Sequence, residues 1–161
     1  MTPAQRQAVE EFRRLRGIDP FGPFVALLKS PELLTRASAL GEYLRYRSAL
    51  PPRLSELVIL ITAAHWQQRY EWDLHAPIAL EAGVAQSTLD ALSAGQRPAG
   101  LAEDEAALYL FCRAVHDRTR PTEAVHARAV RAVGEQGVTD AIGICGYYAL
   151  LAMVLNVEDP G

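Results

Sequence analysis

The stretch Leu54–Gly83, LSELVILITAAHWQQRYEWDLHAPIALEAG, decides how this chain folds. Leu54, Leu57, Val58 and Ile61 recur three and four apart, the period of a helix that starts near Arg53 and turns one face inward. Tyr70 to Ala82 reads as a further helix that Gly83 ends, with Pro77 inside it removing one backbone donor and bending it. No run of period-two alternation bounded by turn residues occurs here or elsewhere, so the expected fold is all-α.

Working outward, a first helix is expected over Ala4–Arg16, with Gly17 as its left-handed terminator. The Pro-rich connector Asp19-Pro20-Phe21-Gly22-Pro23 leads into a short apolar segment, Phe24 to Leu28. Ser30-Pro31-Glu32 supplies an N-cap, a first-turn proline and an early carboxylate for a helix to about Ala49, which Leu50-Pro51-Pro52 ends. Downstream, helices are expected over about Gln86–Ser93, Glu103–Arg118, Thr122–Gln136 and Thr139–Asn156, with Gly137 separating the last two. With no repeat and no long linker, residues 1–161 read as a single domain, a compact bundle of seven to eight helices.

Composition narrows the function. Sixteen Lys and Arg against nineteen Asp and Glu give a net charge of −3, and the two signs are interspersed. That distribution argues against a nucleic-acid surface. The first residues, MTPAQRQAVEEFRRLRG, lack the apolar core and cleavage site of a secretory signal. The longest apolar run, Ala141 to Val157, is interrupted by Gly143, Gly146 and two tyrosines and reads as a core helix instead of a membrane span. A cytoplasmic location is the expectation. Cys112 and Cys145 lie 33 positions apart in apolar helical contexts and read as reduced core thiols. A redox pair would need their helices adjacent, with Cα atoms within about 7 Å. Glu123-x-x-His126 has the spacing of one half of a di-iron motif, but the second half is missing, so no metal is expected.

Chemistry concentrates at Gln68, Glu71 and His75, spaced three and then four apart and so expected on one helical face. A carboxylate one turn from an imidazole is a general acid/base pair in kind, although spacing alone fits a surface ion pair equally well. The register also resembles the carboxymuconolactone decarboxylase and alkylhydroperoxidase family. Its peroxidase members carry a Glu, eleven residues, then Cys-x-x-Cys-x-x-x-His, where this chain has Glu56, Gln68, Glu71 and His75. The phrase Tyr70-Glu71-Trp72-Asp73-Leu74-His75 and the turn at Gly83-Val84 extend the resemblance to about residues 35 to 155.

In one straight helix Glu56 and His75 would stand about 28 Å apart, so sharing a substrate requires a turn between them. The resemblance implies that turn at Trp66-Gln67. It also implies a fold that assembles as dimers, trimers or hexamers, so a homo-oligomer is expected. The departures matter as much, because Gln68 and Glu71 cannot perform either sulfur step of a peroxidase. The resemblance therefore points to the decarboxylase branch: a cofactor-independent acid/base enzyme for a small, acidic organic molecule. In that reading His75, Glu71 and Glu56 are the catalytic candidates, and Gln68, Tyr70, Arg69 and His65 are the substrate-binding candidates. Arg69 is the nearest cation for a substrate carboxylate. Two alternatives stay open, a non-catalytic oligomeric binding module and a thiol peroxidase using Cys112 or Cys145.

Overall fold

In the computed structural model, which describes residues 1–158, eight helices form and no strand occurs among the described residues. The helix ends follow local chemistry. Thr2 opens α1 (Pro3–Arg16) with a capping box, its hydroxyl accepting from the Gln5 amide while the Gln5 side chain accepts from the Thr2 amide. Gly17 closes it with φ of 72°. α2 (Pro23–Leu27), α3 (Pro31–Tyr46) and α4 (Pro52–His65) each begin on a proline, whose missing N–H would have had no helical partner in a first turn. Ser30 precedes α3 as expected, but its side chain makes no capping hydrogen bond, and α3 stops at Tyr46, earlier than Ala49. α5 (Arg69–Glu81), α6 (Gln86–Ser93) and α7 (Glu103–His116) follow.

α4 is the axis of the bundle. All ten residues from Leu54 to Ala63 are buried, as suits a helix that is apolar on every side. It packs against α5, α6, α7 and α8 (Glu123–Glu158), while α1 and α2 lie on α3 and α2 also touches α8. Burying one Leu or Val of this set contributes about 1.5–3 kcal/mol relative to exposure. Two polar ties fix the packing. Arg53 at the start of α4 donates to Asp104 (2.6 Å) and Glu105 (2.5 Å) of α7. Asp140 of α8 accepts from the Tyr43 hydroxyl at 3.0 Å and the Ala49 amide at 2.8 Å.

One expected boundary moves. The two C-terminal helices are separated at Gly134 (φ 75°, ψ 168°), three residues before Gly137, which is helical and buried. At Gly137 the missing side chain serves packing, since a Cβ there would lie 3.3 Å from Leu50 Cδ2. The region Glu123–Glu158 is long and apolar enough to cross a membrane, with a mean hydropathy of 1.7 in its richest window, but half of that window is buried against the rest of the bundle.

Candidate active site

The expected turn between α4 and α5 is present. Gln67 takes a left-handed conformation (φ 51°), and the Gln68 amide reaches back to the Ala63 carbonyl at 2.9 Å. The chain then returns antiparallel to α4. Nine residues from Glu56 to His65 cover about 14 Å, and six from Arg69 to His75 recover about 9 Å. Side-chain length closes the remainder, and His75 Nδ1 stands 2.7 Å from Glu56 Oε2.

All three members of this cluster are buried: Glu56 is 4% exposed, Glu71 3% and His75 1%. A carboxylate can be held there only if it is paired or protonated. Glu56 is paired with the Nδ1 side of the His75 ring, which turns Nε2 toward Glu71. Nε2 faces Glu71 Oε2 at 3.7 Å, too far for a hydrogen bond. Burial raises the Glu71 carboxyl above its ordinary value, against the opposing pull of His75 and Arg45. A carboxyl made a weaker acid by burial therefore stands beside the outer nitrogen of the imidazole, both carried one turn apart on α5. Tyr148 packs edge-on to the ring of His75 with centroids 5.2 Å apart.

Glu71 and His75 border a small cavity of about 20 Å³, walled by Phe21, Phe24, Tyr70, Tyr147 and the cations Arg16 and Arg45. That volume accommodates about one water molecule. Arg16 is held over the rings of Phe12 and Phe24, at 5.9 and 5.4 Å from their centroids. Its Nε and the Tyr147 hydroxyl are both buried without a hydrogen-bond partner among the described residues. Burial pushes the Tyr147 phenol up to about 12, with Arg16 pulling the other way, so it remains a donor. Gly41 makes this arrangement possible, because a Cβ there would collide with the Tyr147 hydroxyl and lie 2.7 Å from Arg16 Nη2. Tyr70 closes the outer side, its ring lying on Gly22, whose left-handed φ of 50° and missing side chain leave room for it.

Of the seven site residues expected from sequence, the structure brings four together: Glu56, Glu71, His75 and Tyr70. The other three lie elsewhere. Gln68 is the N-cap of α5, its carbonyl accepting from the Tyr70 amide at 2.8 Å and its amide donating to Asn156 at 2.6 Å. The side chain of Arg69 is 91% exposed and pairs with Asp73. Both border a different cavity of about 430 Å³, together with Trp72 and Leu92. His65 stacks on His116 on the far side of α4. Sequence reasoning missed Arg16, Arg45, Tyr147 and Tyr148, and the cations that face the acid/base pair come from α1 and α3.

The fold and the site together define a class, an all-helical protein with a buried carboxylate–imidazole–carboxylate cluster beside two arginines. A family model, the carboxymuconolactone decarboxylase family, matches residues 31–112, just over half of the chain. The chain belongs to that family, and the resemblance read from Glu56 to His75 is borne out. A comparison with curated proteins gives no match. Among solved structures the chain is similar to the debrominase Bmp8 in its apo form, with a TM-score of 0.72 and 17% identity over 99% of this chain and 85% of that one. It is similar too to the C82A form of Bmp8 in complex with 2,3,4-tribromopyrrole, with a TM-score of 0.71 and 17% identity over 99% and 84%. Likeness at this identity is a likeness of fold.

Proposed function

We propose that the protein is a cofactor-independent acid/base enzyme, decarboxylase-like, acting on a small carboxylated organic molecule. The observation that carries this reading is the buried row Glu56, His75, Glu71 ending at a cavity with two arginines. Arg16 and Arg45 would hold the substrate carboxylate, with the Tyr147 hydroxyl as a further donor. His75 Nε2 would take a proton from the substrate, and the Glu71 carboxyl would return one to carbon. Glu56 would keep the ring oriented and stabilise its protonated form, the role a buried carboxylate plays in hydrolase triads. The family name refers to a carboxylated lactone, which agrees with a cationic pocket. The structural neighbour Bmp8 is described with a small ring compound, so this fold admits ligands of that size.

In the arrangement described, the cavity holds about one water, so substrate entry requires Tyr70 to swing away from Gly22. The same small volume favours a second reading, a non-catalytic binding module that keeps the fold. A peroxidase using the Gln68 and Glu71 positions is not part of either reading, since neither residue carries sulfur. A cytoplasmic location and a homo-oligomer go with the proposal, and a monomer in light scattering would count against the latter.

The test is turnover of a panel of small unsaturated lactone and keto acids by the wild type and by His75→Ala and Glu71→Gln. Loss of about 10²–10⁴-fold in kcat in both variants, with helical content retained, is expected for removal of a general acid or base. Full activity in both variants eliminates the mechanism. Absence of turnover together with carboxylate binding would favour the binding module.

A further inference from the structure

A second cluster of reactive side chains lies on the far side of α4. Thr62 and His65 of α4, Cys112 and His116 of α7, and Cys145 of α8 meet there. Cys145 and Cys112 are in side-chain hydrogen-bond contact, which brings residues 33 positions apart within reach of one another. Cys112 is fully buried behind Cys145. Cys145 is itself only 2% exposed, but it borders a cavity of about 440 Å³ with His65, His116, Arg118 and Gly146. A Cβ on Gly146 would meet nothing within 4 Å, so the wall beside Cys145 is open.

The polar contacts make the two sulfurs unequal. The Thr62 hydroxyl donates to the Val58 carbonyl at 3.0 Å, so its 2.9 Å contact with His116 Nε2 has the imidazole as donor. The hydrogen bond from Cys112 is the main influence lowering the Cys145 thiol, and His116 adds to it against the effect of burial. The same contact and complete burial raise Cys112. A sulfur on a cavity wall with a second, fully buried sulfur in contact behind it is the arrangement of an attacking and a resolving cysteine. No group of three side chains suited to a metal ion occurs among the described residues.

We propose that Cys145 and Cys112 form a peroxide-reactive dithiol site, separate from the His75 pocket, in which Cys145 attacks a small hydroperoxide and Cys112 resolves the product. With hydrogen peroxide, the Cys145 sulfur bonds to one oxygen as the O–O bond breaks. The departing hydroxide takes the proton that the Cys145 thiol gave up, with His116 as the nearest carrier, and leaves as water. Cys145 is then a sulfenic acid. The Cys112 sulfur displaces its hydroxyl, and the Cys112 proton goes with that hydroxyl as a second water. Two thiols and one peroxide thus give one disulfide between α7 and α8 and two waters, and an external dithiol restores the thiols while becoming a disulfide itself. The slight exposure of Cys145 limits the oxidant to small hydroperoxides. Glu56, Glu71 and His75 take no part, so either proposal can fail while the other stands.

The test uses the wild-type protein and one equivalent of hydrogen peroxide at neutral pH. Thiols are titrated after quenching and denaturation, and the linkage is read by peptide mapping. Both cysteines should disappear together as a Cys112–Cys145 link within one chain. A higher thiolate fraction, partly offset by lower nucleophilicity, should make this on the order of tenfold faster than oxidation of the same chain unfolded. Cys112→Ser should stop at a Cys145 sulfenic acid trapped by dimedone. His116→Asn should slow the reaction in the folded protein. Thiols that persist in the folded wild type, a rate no faster than in the unfolded chain, a link only between chains, or undiminished peroxide consumption by Cys145→Ser would each overturn the proposal.

Discussion

Gly41→Ala is a single-methyl test of the cationic pocket. Gly41 is buried in α3, and its absent Cβ is the space that the Tyr147 hydroxyl and Arg16 Nη2 occupy. Two effects of opposite sign follow. Alanine in a helix interior stabilises by about 1 kcal/mol over glycine. Forcing a methyl into a filled site costs about 1–3 kcal/mol, because the phenol and the guanidinium must both move. The net expectation is a loss of about 1 kcal/mol, or roughly 2–4 °C in Tm for a chain of this size. Gly146→Ala is the internal control: its Cβ meets nothing, so the same helix gain should appear alone as a rise in Tm. Displacing the Tyr147 hydroxyl and Arg16 should also weaken carboxylate binding. One charged hydrogen bond is worth about 1.5–3 kcal/mol, so affinity should fall at least about tenfold. Calorimetric unfolding and titration with a small dicarboxylate read both quantities. If Gly41→Ala is as stabilised as Gly146→Ala and binds equally well, the pocket is not built as described.

Glu71 makes stability depend on pH. Its carboxyl is raised by burial from an ordinary 4.5, so the folded state keeps a proton that the unfolded chain has lost. That contribution is complete below the unfolded value and is lost as pH rises through the folded one. Glu71→Gln does not titrate, so its stability relative to the wild type should improve as pH rises from 4.5. Urea midpoints measured across this window check it, and a pH-independent difference would contradict it. Gly134→Ala should lower stability by about 1–3 kcal/mol, because its backbone at φ 75° and ψ 168° is open to glycine and strained for alanine. An unchanged thermal midpoint would count against the break at that residue.

Much of the fold was legible because its punctuation is local. Gly17 ends α1, Pro31 opens α3, and Gln86–Ser93 forms as read, whereas Pro52, read as a terminator, opens α4. The break in α8 was displaced because Gly134 and Gly137 look alike in sequence. One of them supplies a left-handed backbone, and the other supplies room for Leu50. The site was legible where helical spacing applies, at Glu71 and His75. It failed for Gln68, which has a non-helical backbone (φ −89°, ψ 103°) and spends its amide on capping. His65 was misplaced for a geometric reason. It lies nine residues from Glu56, and at about 100° per residue that is the opposite face of α4. Arg16 and Arg45 carried no local signal, since each sits close to other arginines and nothing in the spacing singles either out. Tyr147 and Tyr148 looked like interruptions of an apolar run, whereas they line the cavity beside His75.

The most direct measurement of the central claim is solvent deuterium incorporation, followed by proton NMR, at the carbon next to the carboxylate of small unsaturated acids incubated with the protein in D2O. The wild type is expected to catalyse exchange, with the rate falling by about 10²-fold or more in His75→Gln and in Glu71→Gln. Exchange at equal rates in all three proteins, or none above solvent with an acid shown to bind beside Arg16 and Arg45, would contradict a proton-transfer role for the buried imidazole and its carboxyl neighbour.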